Sequence, residues 1–293
     1  QQPAAETTQW IANVRWPQRA ALQSNEPPAA QNRRERAALL RMAGLDSYVE
    51  KELRHGAREM ATPIRLATDL AEFMTSIGQA DKGLRYVKNL LPGYLYFPWD
   101  PAGEKFWRHA FPLPFQDDLQ KYARENNVDP FVVAGLIRQE SEFNPKVISY
   151  ANAYGLTQIL PATGRELSRR VGMKNFMTPM LFDPAVNLRL GTFYIKTMLA
   201  SFNGRWEDVL AGYNAGPSRA IKWRRWTTYE EQAEFIETVP FDQTRDYIQS
   251  VLRNAAVYKK LYARDLALIK STNEPKPVVA AVKPKSVPKR AHR

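Results

Sequence analysis

Proline sets the first limit on what this chain can fold into. Between Leu91 and Phe115 it reads Leu-Pro-Gly-Tyr-Leu-Tyr-Phe-Pro-Trp-Asp-Pro and then Phe-Pro-Leu-Pro-Phe. Proline fixes φ, lacks a backbone N–H and clashes with the preceding helical turn, so regular helix is not expected at this density. The segment reads as an irregular connector whose aromatic side chains pack it against a neighbouring unit. On both sides of it the periodicity is helical, and no run of alternating β-branched residues occurs. The expected fold class is therefore all-α, in two helical units.

Upstream, Ala37 and Leu40 share one face of a first helix. Tyr48, Val49, Leu53 and Ala57 mark a second that starts at the Asp46/Ser47 cap. Ile64–Ile77 and Lys82–Leu90 supply two more. This reads as an array of helical hairpins with a structural or docking role. The Pro-rich stretch Gln23–Gln31 reads as an exposed loop, and no signal peptide is evident after Gln1. The expected boundaries are a linker or partly ordered segment over 1–31, a helical linker domain with its connector over 32–115, a principal domain over 116–265, and a basic disordered tail over 266–293.

Composition removes several chemistries. With no cysteine, disulfides, thiolate-bound metals and a cysteine nucleophile are excluded. The histidines are His55, His109 and His292, too scattered for a histidine-rich metal site or a Ser-His-Asp triad. No metal or other cofactor is expected, and chemistry falls to carboxylates, hydroxyls and amides. No apolar run is long enough for a transmembrane helix. The formal net charge is +12, which attracts polyanions such as nucleic acid, anionic lipid or acidic wall polymer. Six Lys/Arg against one acid from Glu274 to Arg293 account for +5 of it. That tail lacks interleaved aromatics, so a specific nucleic-acid partner is not expected.

The strongest local signal is Asp129-Pro130, an N-cap followed by proline at the first helical position. The helix it starts is expected to run to Phe143, ahead of Asn144-Pro145. Val133, Leu136 and Ile137 form its apolar stripe, and the stripe extends onto Glu140. A carboxyl on a buried face in the last turn of a helix is desolvated and repelled by the helix dipole, so its neutral acid form is favoured. General acid catalysis needs that state. On periodicity alone, a surface Glu or one paired with Arg138 is an equal reading.

Three further stretches bear on that choice. Glu140-Ser141 is followed by Ser149 and by Gly155-Leu156-Thr157-Gln158-Ile159-Leu160-Pro161. Then come Ala211-Gly212-Tyr213-Asn214-Ala215-Gly216-Pro217 and Glu237-Thr238-Val239-Pro240-Phe241-Asp242-Gln243-Thr244-Arg245-Asp246-Tyr247. In this order the blocks resemble the catalytic module of the soluble, Slt-type lytic transglycosylases, lysozyme-like enzymes that cut peptidoglycan. The resemblance covers most of residues 32–265 and is strongest from 116 onward. Departures are Asn152 where Gly is usual, Tyr154 where a small residue is common, Thr157 where Met is common, and Leu160 where some members have Met. These are expected to line the sugar groove.

The resemblance implies a lysozyme-like catalytic domain behind a helical linker domain, with Glu140 as the catalytic residue. Retaining glycosidases usually hold two carboxylates about 5 Å apart, yet no Asp or Glu occurs between Glu142 and Glu166. That gap agrees with the family's single Glu, which acts as acid and then as base and leaves a 1,6-anhydromuramic acid end. Substrate-binding roles are implied for Ser149, Gln158, Tyr213, Asn214 and Glu237. Bland roles compete with them: a cap for Ser149, loop satisfaction for Gln158, a core ring for Tyr213, a turn for Asn214, and a helix end or an Arg245 partner for Glu237. A hydrolytic muramidase of the same fold and a non-catalytic glycan-binding scaffold are the alternative functions. Implied partners are peptidoglycan glycan strands and cell-wall protein complexes. A monomer in the periplasm, peripheral to the outer membrane, is expected.

Overall fold

The computed structural model describes residues 27–59, 63–99 and 103–273. Of the expected N-terminal segment (1–31) and basic tail (266–293), residues 1–26 and 274–293 lie outside these described residues. Among them no strand forms, only isolated bridges pairing Ile148 with Tyr154 and Tyr154 with Ile159. No described helix is long and apolar enough to cross a membrane.

Four helices come first: α1 (Pro28–Met42), α2 (Asp46–Glu59), α3 (Pro63–Ser76) and α4 (Ala80–Leu90). Each packs on the next in chain order. α1 begins inside the stretch expected to be a loop, because Pro28 at its first turn already has a helical φ and needs no N–H partner. Val49, Leu53 and Ala57 of α2 are buried as their spacing predicts, against a core that includes Leu66, Leu70, Met74, Leu84 and Val87. Tyr48 departs from that face and is exposed, with Lys51 over its ring. A Cβ on Gly83 would lie 2.9 Å from the Ala71 carbonyl oxygen, which lets α3 and α4 touch through their backbones.

The connector is not wholly irregular. It holds a 3₁₀ turn at Tyr94–Tyr96 and a short helix, α5 (Glu104–Ala110). The prolines flank α5 at positions 101 and 112, so its interior keeps every N–H. Its rings do pack inward: Tyr94, Phe106, Trp107 and Phe111 are buried, and Phe111 meets Tyr258 edge-on with centroids 5.5 Å apart.

The larger unit contains α6 (Gln116–Asn126), α7 (Pro130–Glu140), α8 (Pro161–Arg170), α9 (Pro184–Ser201), α10 (Trp206–Ala215), α11 (Pro217–Arg224), α12 (Gln232–Thr238) and α13 (Asp242–Asn273). α7 is its centre. Asp129 Oδ1 accepts the Phe131 N–H at 2.8 Å, as the cap predicts. Val133, Leu136 and Ile137 are fully buried, and so is nearly every residue around them. Burying each large aliphatic side chain contributes about 1.5–3 kcal/mol. α13 lies along α7 in the most extensive helix pair of the molecule. Gly135 makes that approach feasible, since a Cβ there would stand 2.6 Å from the Val251 carbonyl oxygen.

α13 also reaches back to the connector and continues past the boundary expected at 265. The Tyr258 hydroxyl donates to Pro112 O at 3.1 Å and the Tyr262 hydroxyl to Phe111 O at 2.8 Å. Asp265 pairs with Arg108 at 2.7 Å.

Candidate active site

α7 stops at Glu140, three residues short of the end that Pro145 predicts. Ser141 leaves the helix because its hydroxyl reaches Ile137 O at 3.2 Å and Leu156 O at 2.8 Å, the second across a loop. Glu142 and Phe143 follow with φ of 52° and 64°. Left-handed backbone costs an L-residue roughly 1–2 kcal/mol, so this turn must be held from outside. Phe143 is buried and meets the Tyr258 ring edge-on, while the Glu142 carboxylate pairs with Lys88 of α4.

The turn leaves the Glu140 carboxyl at the mouth of the core. Burial pushes its pKa up to about 7, partly offset by the Tyr247 hydroxyl, which donates to Oε1 at 2.6 Å. The residue keeps some exposure, as a group that must meet a substrate requires. A carboxyl of this kind is neutral at mildly acidic pH and changes state near neutrality, which suits it to give and then take a proton. Arg138, the alternative partner for Glu140, turns instead to Tyr94 and the Ala110 carbonyl.

Two tyrosines face this carboxyl. Tyr247, on α13, has its own pKa raised well above the usual value by burial and by the Glu140 charge. Tyr213, on α10, is raised likewise, and its hydroxyl donates to Thr157 O at 2.6 Å. Tyr213 thus joins the acid to the loop after Ser149. Tyr247 was given no role by sequence reasoning, although it closes the third block. Its place at the end of that block was the available signal.

The 141–160 loop is pinned by Asn187 of α9, a fully buried residue that sequence reasoning also missed. Its Oδ1 accepts the Thr157 N–H and hydroxyl at 2.9 and 2.7 Å. Its Nδ2 donates to Tyr154 O and Leu181 O at 3.0 and 2.9 Å. All its polar capacity is used, which makes it a rigid post. Gly155, at φ 74°, must be glycine, because a Cβ would sit 2.2 Å from Leu181 O and 2.4 Å from Asn187 Nδ2. Thr157 is fully buried against Gly191 and does not line a groove, contrary to expectation. Asn152, at φ 60°, stands where the resembled family usually has Gly, and asparagine tolerates that conformation. Ile148, Tyr150 and Leu160 on the same loop are exposed.

The remaining expected residues divide. Ser149 caps the loop locally, its hydroxyl oxygen accepting the Ala153 N–H at 3.0 Å. Gln158 gives Nε2 to Gly155 O at 2.7 Å, while its buried Oε1 has no partner and is free to accept. Asn214 is exposed beside Tyr213 and accepts the Thr244 hydroxyl at 2.8 Å. Glu237 is exposed on α12 and accepts Gln249 Nε2 at 3.2 Å. It is not the partner of Arg245, which bonds Val239 O and Asp242. Glu140, Tyr213 and Tyr247 are therefore brought together, Gln158 adjoins them through Thr157, and Glu237 makes no hydrogen bond to any of them. Among the described residues no cluster of three or more acidic or histidine side chains could hold a metal.

A family model described as Transglycosylase SLT domain matches residues 118–236. Those residues are thus similar to an SLT domain. The SLT domain match runs from α6 into α12 and takes in Glu140, Gln158 and Tyr213, but not Tyr247. Over 170 residues the chain is 32% identical to the soluble lytic murein transglycosylase of Salmonella typhimurium, covering 56% of this chain and 26% of that protein. A crystal structure of lytic transglycosylase Slt from Pseudomonas aeruginosa, an inactive Glu-to-Gln mutant, superposes with a TM-score of 0.64 at 27% identity. It covers 82% of this chain and 38% of that one. The 70 kDa soluble lytic transglycosylase of Escherichia coli overlays at 0.58 with 24% identity, over 83% and 37% of the two chains, a likeness of fold. The architecture is all-α and lysozyme-like. The superposition extends well beyond the SLT domain, into the helices that precede it. The chain spans about a quarter of the length of the soluble murein transglycosylases it matches and under half that of the membrane-bound ones.

Proposed function

We propose that this chain is a peptidoglycan lytic transglycosylase with Glu140 as its single acid and base. The observation that carries the reading is the state of Glu140: a desolvated carboxyl, titrating at about 7, whose other influence is one tyrosine hydroxyl. Among the described residues no other carboxyl is hydrogen-bonded to it, which disfavours the two-carboxylate hydrolases. In the proposed reaction the Glu140 proton passes to the glycosidic oxygen between N-acetylmuramic acid and N-acetylglucosamine, and the bond from C1 to that oxygen breaks. The muramic acid O6 then bonds to C1 and its proton passes to the Glu140 carboxylate. The enzyme is restored, a 1,6-anhydro end forms and no water is consumed. Intramolecular attack gains from high effective molarity.

Gln158 Oε1 supports a substrate role, because a buried acceptor without a partner is satisfied by a sugar N–H or O–H. Tyr213 and Tyr247 orient the acid. Ser149, Asn214 and Glu237 are proposed as outlying groove contacts. The inactive Glu-to-Gln form of the Pseudomonas relative supports a Glu as the essential group in this family. Curated relatives are named soluble or membrane-bound murein transglycosylases, which supports an extracytoplasmic site of action. The proposed setting is the periplasm, with glycan strands as substrate, wall-protein complexes as partners and a monomeric enzyme.

The test is mass spectrometry of muropeptides released from purified sacculi by the chain and by Glu140→Gln. Anhydro products, one water lighter than muramidase products and absent with the variant, are expected. Products with a free reducing end would make it a hydrolase, and release unchanged in the variant would remove Glu140 from the chemistry.

A further inference from the structure

The two residues that flank Glu140 at a distance of two, Arg138 and Glu142, are held by partners that lie outside the SLT domain. Two positions before Glu140, Arg138 is buried on α7. Its Nη2 donates to the Tyr94 hydroxyl at 2.5 Å and to Ala110 O at 3.0 Å, and its guanidinium lies 4.1 Å from the centre of the Phe111 ring. Two positions after it, Glu142 pairs with Lys88. Lys88, Tyr94, Ala110 and Phe111 all precede residue 118, where the family match begins. They come from α4, the 3₁₀ turn and the end of α5.

We propose that the helical unit ahead of the SLT domain positions the catalytic carboxyl, with Lys88 and Tyr94 as positioning residues acting through Glu142 and Arg138. The inference rests on Glu140 being the acid. Its physical basis is the strained turn. Two consecutive left-handed residues, neither of them glycine, persist where their surroundings over-determine them. Ser141 and Phe143 hold the turn from the core side, and the Lys88–Glu142 pair holds it from the solvent side. An exposed ion pair contributes little to stability, about 0–1 kcal/mol. Its effect here is on where the turn lies, and so on how far water reaches the adjoining carboxyl.

The groups facing Glu140 are known from each neighbouring element. Tyr247 comes from α13 and Tyr213 from α10, with Tyr194 of α9 behind Tyr213. Burial and the Tyr247 hydroxyl are the influences that set its titration. A discriminating experiment follows. Lys88→Met and Glu142→Gln change local charge in opposite senses. A direct Coulomb effect would therefore move the Glu140 titration in opposite directions. Loss of a shared clamp wets the carboxyl in both and moves the titration down in both.

The assay is anhydro-product release from soluble glycan strands, measured as kcat and KM across pH. Both single variants, and Tyr94→Phe, are expected to lose about tenfold in kcat at unchanged KM, since small misplacements of a reacting group are costly. The high-pH limb should move downward in all three, with melting temperature nearly unchanged in the two ion-pair variants and lowered in Tyr94→Phe, which leaves a buried guanidinium N–H without its acceptor; the exchange Lys88→Glu with Glu142→Lys should restore both kcat and the limb. Limbs that stay put, or that move in opposite directions for Lys88→Met and Glu142→Gln, overturn the proposal. Glu140→Gln in the same assay separates the two levels. If that variant retains activity, the acid assignment itself fails, and this proposal with it.

Discussion

Replacing Glu140 with Gln should stabilise the protein, and only at the upper end of the pH range. In the unfolded chain the carboxyl titrates at its ordinary value of 4.5, and in the folded chain at about 7. Between those values the folded state binds more protons than the unfolded one, so the native protein loses stability as pH rises through the window. The loss is absent below the unfolded value and complete above the folded one. One pKa unit is worth 1.36 kcal/mol, so the full window corresponds to about 3 kcal/mol. Gln carries no charge to desolvate and keeps an Oε1 that can accept from Tyr247. The variant should therefore match the parent near about pH 4 and exceed it by about 3 kcal/mol near about pH 8. At 2–4 °C per kcal/mol for a chain of this size, the difference in melting temperature grows to about 6–12 °C. Thermal melts of both proteins in a series of buffers would measure it. A difference that is flat with pH, or largest in acid, would refute the desolvation argument.

Other substitutions probe the surroundings. Tyr247→Phe removes a hydroxyl that stabilises ionised Glu140, so the high-pH limb of activity should move up while kcat drops about tenfold; a limb moving down would contradict the assigned donor. Gly135→Ala forces a Cβ to 2.6 Å from Val251 O and should destabilise by about 1–3 kcal/mol or more in urea unfolding. Asp208 is fully buried between Arg205 at 2.9 Å and Arg224 at 2.5 Å; Asp208→Asn strands both cations and should cost about 3–5 kcal/mol by the same measurement.

What could be read from the chain depended on distance along it. The α7 stripe, its Asp129 cap and the direction of Glu140 follow from a 3.6-residue period and from neighbours in sequence, and they were legible. The end of α7 was not. Pro145 sets only an outer limit, and the hydroxyl of Ser141 ends the helix by reaching Leu156, fifteen positions away. Tyr247 was visible within a block but had no assigned partner, because that partner lies 107 residues upstream. Thr157 looked like a groove residue until the missing side chain of Gly191 gave it somewhere to bury. α5 was hidden because proline density was read over the whole connector, when the proline-free window between 101 and 112 sufficed for two turns. Arg138 had acidic neighbours in sequence, Glu140 and Glu142, and bonds elsewhere in space.

The position of α13 fixes the order in which the molecule can be completed. A ribosome releases α7 long before α13, and until then Val133, Leu136 and Ile137 lack the largest surface they close against. The separation of 157 residues between Arg108 and Asp265 means that the first and last parts of the fold are joined in the same late event, and such long-range closure is slow. A chain cut short ahead of Asp242 would therefore not be a weakened version of this fold. It would be an unclosed one, with its central helix uncovered and prone to self-association, and its acid would have no hydroxyl to meet.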